Sequence, residues 1–120
     1  MTDTAIRIAQ ADIESLEQLY TFRGRTEILQ FLNQYTFLVR VLLEAPEKIR
    51  QYFLDYELFV EVVPDPEIPE WVHLVVSIMM KFAPDDAVDR LNQLDWNWGI
   101  HNSYEVRSKF FTTLEYPNEF

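Results

Sequence analysis

The spacing of apolar positions changes several times along the chain, and each change marks an element. Ile13, Leu16 and Leu19 or Tyr20 share one helical face between Asp12 and Tyr20. Asp12, Glu14 and Glu17 lie towards the end where a helix dipole favours negative charge. Ala5, Ile6, Ile8 and Ala9 before them fit either an extra helical turn or a short extended piece. A second helix is predicted over Thr26 to Tyr35, with Thr26 as N-cap and Ile28, Leu29, Phe31 and Leu32 apolar. Thr36 is placed to cap a third, in which Leu38, Val41, Leu42, Ala45, Ile49, Tyr52 and Phe53 keep one helical phase. Pro46 falls inside that run. It removes a backbone donor and crowds the carbonyl four residues earlier, so a kink is expected there.

The period then shortens to two. Leu58, Val60 and Val62 alternate with Phe59, Glu61 and Val63, the mark of a strand rich in β-branched residues. Pro64, Pro66 and Pro69 end it in a stiff acidic loop. Trp71 to Met79 forms a second strand, with Val72, Leu74, Val76 and Ile78 facing one way, and the two read as an antiparallel hairpin. A helix is expected to open at Ala83-Pro84, with Asp85, Asp86 and Asp89 at its start and Ala87, Val88, Leu91 and Leu94 as its buried stripe. Gly99 suits its C-terminal end. A last strand over Arg107 to Tyr116 places Phe110, Thr112, Leu114 and Tyr116 on one face. The order of helices, hairpin, helix and strand predicts a two-layer α+β domain. A right-handed crossover through the helix puts the third strand beside the first, giving a three-stranded antiparallel sheet of order 2-1-3. Gly24 sits between two arginines in a predicted linker, Tyr20 to Arg25. That linker separates an N-terminal helical arm, residues 1–25, from a single α+β domain, residues 26–120.

Composition narrows the functional classes. The 120 residues suit one domain, and the 48% apolar fraction suffices for a core. Twenty acids against ten bases give a net charge of −10, which repels nucleic acid and anionic membrane surfaces. The absence of cysteine excludes disulfides, thiolate nucleophiles and cysteine zinc sites, and fits a cytoplasmic location. Two glycines cannot build a phosphate cradle, and no cofactor is expected. No run reaches the length of a membrane span, and Met1 to Gln10 lacks the apolar core of a signal peptide.

The charge is uneven. Between Asp55 and Glu105 there are eleven acids against Lys81 and Arg90, a net −9. Such a run serves either as a solvated face or as a docking surface for a basic partner. Asp65, Glu67 and Glu70 gather on the proline-pinned loop, whose restricted chain lowers the entropy lost on recognition. Alternating carboxylates also suit a hard cation, although the spacing is not that of an EF-hand. His73 and His101 are too far apart to form a metal site alone, and none of the four serines lies in a nucleophile elbow. Trp96 and Trp98, two apart on a helix, point to different faces, leaving one ring free for contact.

The run Glu61-Val62-Val63-Pro64-Asp65-Pro66-Glu67, then an apolar strand and Ala87, Leu91, Leu94-Asp95 and Trp98, resembles a group of small uncharacterised proteins of cyanobacterial genomes. That group shares a strand ending in E-V-V-x-D-P-E and a helix ending in L-D-x-x-W. The similarity covers Thr26 to Tyr116. Asn97-Trp98-Gly99 departs from the group's two adjacent aromatics before an apolar residue. The group has no established activity, so the resemblance implies fold boundaries and no catalytic or binding residues.

The expected function is therefore a non-catalytic interaction module, antitoxin-like or adaptor, that docks a basic protein partner. Asp65, Glu67, Glu70, Trp71 and Trp98 are its candidate contact residues. The alternative is a small-ligand or metal-dependent enzyme using Asp65, Glu67 and His73. A homodimer is also expected. Strand Trp71 to Met79 is read as an unprotected sheet edge, and Phe59, Val63, Trp71 and Val75 as a face that helices on the other side leave bare.

Overall fold

A computed structural model of the chain describes residues 8–54, 56–80 and 85–116. Its elements are α1 (Gln10–Leu19), β1 (Thr21–Arg23), α2 (Arg25–Gln34), α3 (Phe37–Arg50), β2 (Leu58–Pro64), β3 (Val72–Met79), α4 (Ala87–Asn97), a 3-10 turn (Gly99–His101), α5 (Tyr104–Lys109) and β4 (Phe110–Glu115). The helix opening expected at Ala83-Pro84, and Asp55 and Lys81 of the charge run, lie outside the described residues.

The α+β class holds, but the sheet differs from the predicted one. It has four strands in the order β1-β2-β3-β4. β1 pairs parallel with β2, β2 antiparallel with β3, and β3 parallel with β4, so the sheet is mixed. The expectation of three antiparallel strands in the order 2-1-3 fails for one reason. Thr21–Arg23, inside the predicted linker, fills the slot beside β2. The chain leaving β3 therefore returns next to β3 itself, and Phe110–Glu115 pairs there in parallel. The Trp71-to-Met79 edge is overturned with it, because β3 runs through the sheet interior.

Register explains the core. Leu58, Val60 and Val62 stand opposite Ile78, Val76 and Leu74, and this face carries the helices. Ile28, Leu32, Leu38, Leu42, Ile49, Phe53, Val60, Leu74 and Ile78 form one cluster without solvent contact or nearly so. The segment read as an arm contributes Ile13, Leu16 and Tyr20 to that same cluster and β1 to the sheet. Gly24 is where the chain turns from β1 into α2. Its φ of 84° lies in the left-handed region, which side chains with a Cβ rarely adopt.

Pro46 remains inside α3 and is buried. With no amide hydrogen it leaves the Leu42 carbonyl, four residues earlier, without its helical donor. The Tyr20 hydroxyl donates to that carbonyl oxygen at 2.7 Å. Burial pushes the phenol's pKa far up, so it remains a donor throughout the ordinary pH range.

Near the C-terminus, α5 occupies residues that the sequence pattern assigned to the start of a strand. Ser103 caps it by accepting from the Val106 amide at 3.3 Å. β4 then follows, with Phe110, Thr112 and Leu114 on the helix-covered face as expected.

Candidate interaction site

The β2–β3 loop, the start of β4 and α5 meet at one end of the sheet. Here Asp65 organises the loop. One carboxylate oxygen accepts from the Glu67 amide at 2.8 Å and the Ile68 amide at 3.0 Å, while the other lies 3.3 Å from His73 Nε2. Its own amide donates to the Trp71 carbonyl at 2.6 Å, and the Trp71 amide donates to Ile68 at 2.8 Å. The Ile68 and Glu67 amides, then His73, hold the Asp65 carboxyl below its ordinary pKa. Asp-Pro at the head of a turn is a recognised way to fold a loop on its own side chain. The result is a closed loop with Glu67, Ile68 and Glu70 outside and Trp71 59% exposed.

Opposite the loop stands α5. Trp71, His73, Tyr104, Arg107, Ser108, Lys109 and Phe111, with Asp65, line an open depression of about 580 Å³. Three of its rings, Trp71, Tyr104 and Phe111, are exposed to solvent. Arg107 and Lys109 have no ion-pair partner among the described residues, and the Lys109 ammonium lies 4.9 Å from the centre of the Tyr35 ring. One side of the site is therefore acidic, the other basic, and the floor aromatic.

His73 is largely enclosed and meets Phe111 edge-on at 4.7 Å. Its Nδ1 has no hydrogen-bond partner and no contact with solvent. A histidine oriented by a carboxylate acts as a base only when the other ring nitrogen reaches a substrate. In His73 that nitrogen is sealed inside the protein. The pair with Asp65 fastens β3 to its preceding loop. Among the described residues no three histidine or carboxylate side chains gather as a cation site.

The sequence-predicted residues thus divide. Asp65, Glu67, Glu70 and Trp71 come together, with Asp65 turned inward and the other three outward. Trp98 stands apart from them, on the far side of α5. Its Nε1 donates to Glu44 at 2.7 Å and its ring meets Phe110 edge-on, so Trp96, 71% exposed, is the outward ring of that pair. Tyr104, Arg107 and Lys109 escaped the sequence reading because α5 did. The cap at Ser103, with Glu105 early and Arg107 and Lys109 late, was the available signal.

A second polar feature crosses the bare face of the sheet. Arg23 on β1 reaches over Phe59 to Glu115 on β4, making two hydrogen bonds of 2.7 Å. Arg23 holds the Glu115 carboxyl below its ordinary pKa, assisted by a hydrogen bond from Ser77. Ser77 is buried, although it faces away from the helices.

No family model, no curated protein and no solved structure matches the chain. No helix among the described residues is long and apolar enough to cross a membrane.

Proposed function

We propose that this protein is a non-catalytic interaction module, an adaptor or antitoxin-like neutraliser, whose β2–β3 loop docks a basic protein partner. The observation that carries this reading is the anchoring of the loop by Asp65. Four hydrogen bonds inside the segment from Asp65 to Trp71 fix its shape before any partner arrives. A loop already held in its binding shape loses little entropy on association. It offers the groups a basic surface needs: two exposed carboxylates, Glu67 and Glu70, beside a tryptophan ring able to stack on a guanidinium. Arg107 and Lys109 bound the site on the α5 side and limit the partner's positive stretch to the loop. The net charge of −10 adds long-range attraction for such a partner and speeds its encounter.

The test is affinity capture from the native extract at low salt, with the wild type beside a Glu67→Gln/Glu70→Gln double variant and Trp71→Ala. A protein of net positive charge should be held by the wild type, released by added salt, and lost from both variants. Equal retention by all three, or retention only of acidic proteins, would overturn the reading.

A further inference from the structure

Arg107 also borders a second hollow, an open cleft of about 380 Å³ between α4, the 3-10 turn, α5 and β4. Of its lining residues only Arg107 and Phe111 belong to the depression beside the β2–β3 loop as well. The walls of this cleft are fixed from within. The Trp98 indole donates to Glu44 at 2.7 Å and lies edge-on to Phe110, and the Asn102 side chain donates to the Gly99 carbonyl at 3.3 Å. Leu91, Leu94, Ile100 and Val106 supply most of the apolar lining. Two opposite charges border it, Asp95 and Arg107. Neither has a hydrogen-bond or ion-pair partner among the described residues, and they do not pair with each other.

The position of Asp95 is unfavourable for the fold alone. It lies in the last turn of α4, where the carbonyl end of the helix repels negative charge and no base offsets it. Its carboxylate occupies the space that a side chain at Gly99 would fill. The Gly99 backbone is not in the left-handed region, so glycine is needed there for that space and not for its φ. A cation at Asp95 would meet both a carboxylate and the negative end of the helix, and an anion would meet the Arg107 guanidinium. We propose that the cleft binds a small zwitterion, an amino acid or dipeptide with apolar side chains. Its ammonium sits on Asp95, its carboxylate on Arg107 and its side chain against Leu91, Trp98 and Ile100. A preformed apolar cleft with a few placed polar groups is the usual form of a small-molecule site, and this volume suits a ligand of that size. The site does not depend on the docking reading above, because Asp95 and Trp98 lie outside the docking depression.

Trp98 gives the readout. The chain has three tryptophans, so three indole N–H signals appear in its NMR spectrum, assigned through Trp71→Phe and Trp96→Phe. Titration of the wild type with leucine and with leucyl-leucine should move the Trp98 signal saturably, with a Kd of about 1 mM for the better of the two. Leucinamide lacks the carboxylate and N-acetyl-leucine lacks the ammonium, and each should bind about tenfold more weakly. Asp95→Asn should erase the preference for the free ammonium, and Arg107→Gln the preference for the carboxylate. Gly99→Ala, which displaces the Asp95 carboxylate, should act like Asp95→Asn. No saturable movement of Trp98 by either zwitterion up to about 10 mM overturns the proposal. Equal movement by all four compounds overturns it too, since only an apolar surface is then at work. So does movement of Trp71 alone, which places the ligand in the docking depression. Failure of partner capture with the Trp98 titration intact removes the docking reading and leaves this one standing.

Discussion

The two faces of the sheet are stabilised by different physics. On the covered face Leu58, Val60, Leu74, Val76 and Ile78 are buried beneath helices, and their contribution is apolar area removed from water. The opposite, bare face carries Phe59, Val63 and Val75, each half-buried. There the long side chains of Arg23 and Glu115 do the covering, crossing the sheet from one edge strand to the other above Phe59 and Ser77. Part of a sheet face can thus be covered by two residues when their alkyl stems lie flat and their charged ends meet. The lesson concerns failure: the covered face breaks by cavities, the bare face by loss of one ion pair.

The largest effect should come from the covered face. Leu74→Ala leaves a cavity at a side chain without solvent contact and should cost about 2–5 kcal/mol, read from denaturant unfolding. Next comes the polar bond inside that core. Tyr20→Phe strands the Leu42 carbonyl and should cost about 1–3 kcal/mol. The cost should shrink when Pro46→Ala restores the helical donor, which a double-mutant cycle measures. On the bare face Glu115→Gln should cost about 1 kcal/mol, since both partners are one-third exposed and water screens the pair. If it proves as damaging as Leu74→Ala, the comparison is wrong.

The smallest effect separates the faces by pH. Asp65 and Glu115 titrate below the ordinary carboxylate range in the folded chain. Their stabilisation is complete above that range and is lost as pH falls through the lowered values. Melting temperature should therefore hold through mild acid and drop only in stronger acid. Glu115→Gln should flatten that drop, and Leu74→Ala should shift the whole curve downward without changing its shape.

These contrasts also explain what the sequence disclosed. Periods of 3.6 and 2 repeat often enough in α1 to α4, β2 and β3 to stand out. β1 has three residues, too few to show alternation, and its pairing with Phe59 to Glu61 joins positions far apart in the chain. Missing it led directly to the wrong strand order. Asp65 was visible as part of a proline-stiffened loop, but its bonds to the Glu67 and Ile68 amides, and its contact with His73, which the hairpin register brings back beside it, were not. Arg23 and Glu115, 92 positions apart, meet only because β1 and β4 bound the same sheet.

The bond from Tyr20 to Leu42 links positions 20 and 46 in their substitution history. A proline at 46 is tolerable while position 20 supplies a hydroxyl, and a phenylalanine at 20 is tolerable while position 46 keeps its amide. Among related chains the two should therefore change together, tyrosine accompanying proline and an apolar ring accompanying an ordinary helix residue. Neither side chain need touch the other for that dependence to hold, because a single carbonyl oxygen carries it.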